Sequence, residues 1–187
     1  MELIRKNMRK IISTLLLIWS TVFFCLMSPV GVVNIVIIII SVALFLLIFF
    51  NKNNTILLLY LNFLSSYVLF GYVLLGNAPV WLVMMGVLAI NIYLNYDLLS
   101  DNNLDENAKK IYLVVYSLLI IEVFLFMGYF ILSPANRSLI LTLCLYLIYG
   151  YNDEIIKKGA YSGYYRYIVV FFLIFVTIVL SASWGNI

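Results

Sequence analysis

The chain has 187 residues, of which only 11 are basic and 8 acidic. Charged residues make up 10% and hydrophobic residues 66%, and mean hydropathy is +1.14; an average soluble domain is about 25% charged. A soluble domain of this size cannot hide so much apolar surface, which excludes a soluble enzyme, a nucleic-acid binder and a disordered chain, and leaves an integral membrane protein.

A hydrocarbon core about 30 Å thick needs about 20 mostly apolar residues per spanning helix. Seven segments have that length: residues 10–28, 30–50, 55–75, 79–99, 108–132, 135–156 and 164–183. The expected fold is an all-α integral membrane protein, a seven-transmembrane-helix bundle forming one domain over residues 1–187. Continuous apolar runs such as 35–40 do not fit the alternating pattern of a membrane barrel.

The first segment follows a basic start, as in a signal peptide. Its apolar stretch is long, however, and no Ala-x-Ala pattern precedes Ser28, so it is read as a retained span. Ser28-Pro29 separates the first two segments, Gly76-Asn77-Ala78-Pro79 the third and fourth, and Ser133-Pro134-Ala135-Asn136 the fifth and sixth. Each puts a proline where a helix restarts, its missing N–H falling among the unpaired first-turn donors. The other breaks, 51–54, 100–110 and 153–166, are polar and charged. The sixth segment is the weakest, because its apolar stretch 138–151 also suits a re-entrant segment. The charge pattern favours a full crossing.

Ten of the eleven basic residues fall on the side of the polar breaks: Arg5, Lys6, Arg9, Lys10, Lys52, Lys109, Lys110, Lys157, Lys158 and Arg166. Arg137 alone lies on the other. Positive residues in short loops mark the cytoplasmic side. The amino terminus is therefore expected inside and the carboxyl terminus outside, in a cell (cytoplasmic) membrane of bacterial type. A shift of 57 residues lays Gly71-Tyr72 on Gly128-Tyr129 and Ala78 on Ala135. This suggests a tandem repeat of helical hairpins, against the alternative that apolar helices align by chance.

No histidine is present, which removes the commonest general base and metal ligand. Cys25 and Cys144 both sit inside spans and read as packing residues. No phosphate-binding glycine loop, metalloprotease motif or nucleophile elbow occurs, so no catalytic residue, metal site or cofactor is expected. Seven spans match rhodopsins and receptors in number only. Those have the opposite orientation, and the last segment here has no lysine for a retinal Schiff base.

Glu122 is the one acidic residue deep in a span. An ionised carboxylate there is costly, so it is expected near the bilayer centre, facing the bundle interior. Ser65, Ser66, Asn91 and Thr177 fall at similar depth, and with Glu122 they would form a polar belt binding a substrate or ion. Asn62 and Asn95 lie nearer the cytoplasm. The alternative for each is plain interhelical hydrogen bonding. Arg137 opens the sixth segment and is a further candidate. Reaching Glu122 would require a water-filled cleft, and snorkelling to the headgroups is the favoured reading. Seven tyrosines at the cytoplasmic ends of the last two segments, Tyr146 to Tyr167, read as an interfacial belt.

The expected function is that of a small-molecule-binding or transporter-like subunit with a midplane polar site around Glu122. The alternative is a structural or scaffolding protein that packs on partner membrane proteins without a ligand. The expected partners are the lipid bilayer and other membrane subunits, with no nucleic acid.

Overall fold

A computed structural model describes residues 2–49, 55–100, 104–130 and 132–181. Lys52, which enters the charge pattern, and the chain beyond Ser181 lie outside these residues. The described elements are helical throughout: α1 (Glu2–Met27), α2 (Gly31–Phe49), α3 (Thr55–Leu74), α4 (Val80–Ser100), α5 (Glu106–Met127), α6 (Pro134–Gly150), a π-helical continuation of α6 (Tyr151–Lys157) and α7 (Tyr161–Ser181). Seven stretches are long and apolar enough to cross a membrane, the sixth running from Pro134 through Lys157. The π-helical turns lengthen α6, which is why its short apolar core still belongs to a stretch long enough to cross.

The proline restarts are realised locally. Pro134 opens α6, and Ser133 caps it by accepting a hydrogen bond from the Asn136 N–H at 3.2 Å. The Pro79 carbonyl accepts from the Val83 N–H at the start of α4. Gly76 and Gly159 adopt positive φ of 68° and 63° in the turns that follow α3 and α6, a conformation glycine adopts without steric penalty. Cross-helix contacts tie opposite ends of the helices together. Arg9 pairs with Asp97 at 3.1 Å, and the Ser13 and Tyr93 hydroxyls share a hydrogen bond of 2.6 Å. These join the lower turns of α1 and α4 at the end of the bundle that holds Lys109, Lys110, Lys157 and Lys158, called here the basic end. The three proline turns lie at the other, the proline end.

Helix α3 is the centre of the bundle, packed against α6 most extensively and also against α1 and α4. Small residues make this possible. Gly71 admits the Met27 sulfur, and Ser65, Ser66 and Ser138 are buried where larger side chains would hold the helices apart. By contrast α2 and α7 are apolar around most of their circumference and largely exposed, as suits helices that face acyl chains. Helix α7 leans on α6 through rings: Tyr146 and Tyr167 are 4.9 Å apart, and Tyr164 meets both Tyr151 and Tyr167. The tyrosines expected only as an interfacial belt thus also build the α6–α7 contact.

Candidate functional site

The six candidate residues separate into two groups. Ser65, Ser66, Asn91 and Arg137 are buried, whereas Glu122 and Thr177 are exposed on the outside of the bundle. Thr177 Oγ1 donates to the Leu173 carbonyl of its own helix at 2.8 Å. The polar belt expected from depth alone does not close.

Glu122 is the main correction. The core stripe of α5 is Tyr116, Ile120, Phe124 and Met127. Glu122 follows Ile120 by two residues, about 200° round the helix, so it points away from the core. Leu118, Leu119, Leu125 and Phe126 surround it on that face, all exposed. The helix also ends at Met127 rather than at residue 132, because Gly128, Tyr129 and Phe130 turn back on it through bonds to Leu125, Phe126 and Met127. Glu122 is therefore about 7.5 Å from the proline end of α5, not at its middle.

Arg137 does not snorkel. It is 6% exposed. Its Nη2 donates to the Phe130 carbonyl at 2.7 Å, and its guanidinium lies 5.9 Å over the Phe70 ring. Among the described residues no carboxylate pairs with it.

The interior polar groups form a seam between α3 and α6. Asn62 donates to Thr142 Oγ1 at 3.4 Å, and Phe70 meets Arg137 two turns further along. Ser66 and Ser138 lie between these rungs, each one turn from Asn62 and Thr142 respectively. Ser65 and Thr142 return hydrogen bonds to carbonyls of their own helices, the usual way a hydroxyl is satisfied in lipid. The amides are less complete. Asn91 donates to the Val87 carbonyl at 3.0 Å, yet among the described residues its Oδ1, the Asn62 Oδ1, both polar atoms of the Asn95 amide and the Ser117 hydroxyl are buried without a partner. Ser117 escaped the sequence reading although it lies one turn and a residue before Glu122; its depth was the available signal. A small pocket walled by Leu58, Leu59, Leu94, Leu98 and Leu145 has room for about one water, ≈ 10 Å³, and does not reach Glu122.

The basic end holds a second polar cluster. Glu154, 5% exposed, accepts from Lys158 at 3.0 Å and from Arg166 at 3.5 Å. Asp153 also accepts from Lys158 at 3.0 Å. These bonds, Asp153 first and then Glu154, hold the Lys158 ammonium above the ordinary lysine pKa. The Glu154 carboxylate packs directly on Gly163, and the Tyr167 ring on Gly150, so α7 is fastened to α6 by both charge and shape.

No protein-family model matches the chain, and neither a curated protein nor a solved structure matches it.

Proposed function

We propose that this multi-pass membrane protein is a subunit of a membrane-embedded assembly, docked on a partner's spanning helix through the α5 face around Glu122. The observation that carries this reading is the exposed Glu122 inside its ring of exposed Leu118, Leu119, Leu125 and Phe126. A charged acid facing acyl chains costs about 2.5–3.5 kcal/mol even on lenient scales. A basic side chain on a neighbouring helix removes that penalty and fixes the register of the contact. The ten-to-one split of basic residues supports an amino terminus on the cytoplasmic side, which puts the docking acid in the outer half of the membrane.

The test is the mass of the protein extracted in a mild detergent. Wild type is expected to leave the membrane with a second polypeptide, and Glu122→Leu to leave alone. Equal masses for the two would remove the basis of the proposal.

A second reading, a transporter-like subunit for a small polar ligand, draws support from the unpartnered amide atoms of Asn62, Asn91 and Asn95. It would place the ligand inside α3, α4 and α5, with Glu122 outside the site.

A further inference from the structure

Among the described residues, Arg137 is a buried cation without a counter-charge, and its one acceptor there is the Phe130 carbonyl, a dipole rather than an anion. Its Nε is buried with no partner, although a guanidinium carries five donors. The Phe70 ring, itself stacked on Phe124 at 4.7 Å, covers the guanidinium. Buried charges are ordinarily paired, because the desolvation of an unpaired one is uncompensated. Glu122, the acid nearest in depth, faces outward. The start of α6 adds the positive end of a helix dipole a few residues away, so the local field favours an anion twice over. Arg137 sits three residues into α6, about 4.5 Å from its end, which is headgroup depth.

We propose that Arg137 anchors an anion site at the proline end of the bundle, taking a phosphate group through the forked hydrogen bonds that guanidinium makes with such oxygens. The group enters beside the turn between α5 and α6, where Tyr129 stands exposed. Phe70 and Phe130 give it an apolar flank, which suits the headgroup of an anionic lipid; a soluble phosphate offers the same chemistry. This site is separate from the α5 docking face.

The experiment uses the full-length protein in nanodiscs of phosphatidylcholine with and without phosphatidylglycerol, with retained lipid counted by native mass spectrometry. Phosphatidylcholine has the same phosphate, but its choline cation cancels the charge and is repelled by Arg137, so wild type is expected to retain phosphatidylglycerol about tenfold over phosphatidylcholine, a difference of about 1.4 kcal/mol. Arg137→Gln is expected to lose the preference and Arg137→Lys to keep part of it. The Lys109→Gln, Lys110→Gln double variant, altered at the other end, should keep it whole. Inorganic phosphate is then titrated against the protein in pure phosphatidylcholine. A saturable thermal shift that Arg137→Gln abolishes assigns the site to a soluble anion, and no shift beside a lipid preference assigns it to the headgroup. Should wild type retain both lipids equally and ignore phosphate, Arg137 selects no anion and the proposal fails. The same follows if Arg137→Gln matches wild type in both arms. If Arg137→Gln fails to fold, Arg137→Lys carries the test: a preference reduced from wild type supports the site, and one equal to wild type overturns it.

Discussion

The Asn62 amide on α3 and the Thr142 hydroxyl on α6 meet at 3.4 Å in the most extensive helix contact of the bundle. Hydrogen bonds of this kind contribute about 0.6 kcal/mol on average in membranes. A double-mutant cycle with Asn62→Leu and Thr142→Val, read by unfolding in mixed micelles, is expected to return a coupling of that size. Ser66→Leu next to this contact should do more harm, about 1–3 kcal/mol, because it overpacks a site where two helices approach closely. If Ser66→Leu is neutral, serine does not set the α3–α6 spacing.

The joint between α6 and α7 offers a sharper steric test. Gly163 and Gly150 lie against the Glu154 carboxylate and the Tyr167 ring, leaving no room for a methyl group. Gly163→Ala and Gly150→Ala are each expected to destabilise the fold by about 1–3 kcal/mol, measured by thermal melting. Alanine favours helix elsewhere, so a raised melting temperature for either variant would contradict this packing.

The ion pairs at the same joint set a pH expectation. The pKa of Lys158 is raised in the fold, chiefly by Asp153 and then by Glu154. A raised pKa stabilises the protein below the unfolded lysine value of about 10.4 and loses that contribution as pH rises through the folded value. Melting temperature should therefore show no Lys158-dependent change between neutral pH and about pH 9, and a decline above pH 10 that is weaker in Lys158→Gln. A Lys158-dependent change near neutrality would contradict the pairing.

Asn95 separates the two functional readings. Both polar atoms of its amide are buried without partners. Replacing an unsatisfied polar group by an apolar one of similar size can be stabilising. If the interior is only packed, as the assembly reading holds, Asn95→Leu should raise the melting temperature. A fall, deepest when candidate small polar solutes are present with the wild type, would favour a ligand site among α3, α4 and α5.

The seven spans were legible because bilayer thickness dictates their length and proline and glycine mark their turns. Facing was not. On α5 the buried Ile120 and Phe124 and the exposed Leu119 and Phe126 are equally apolar, so no periodicity says which side of the helix bears Glu122. In water the polar face would have given it away; in lipid both faces are apolar. The end of α5 was hidden for the same reason, since residues 127–132 are nearly all apolar whether helical or turned back. Arg137 was misplaced because its burial depends on Phe70, 67 positions earlier in the chain, a neighbour that only the α3–α6 packing supplies. Ser65, Ser66 and Asn91 were correctly expected inside, because small and amide side chains in lipid turn toward protein.

The docking face itself is open to direct measurement. A photo-crosslinking residue at Leu119 or Phe126, on the face of Glu122, is activated in native membranes and compared with one at Leu173 on the exposed face of α7. The α5 positions are expected to give one adduct of defined mass with a membrane polypeptide that has a lysine or arginine in a spanning segment. Glu122→Leu should abolish it, and the α7 position should give lipid adducts only. Lipid adducts alone from α5, or a protein adduct that survives Glu122→Leu unchanged, would contradict docking through Glu122.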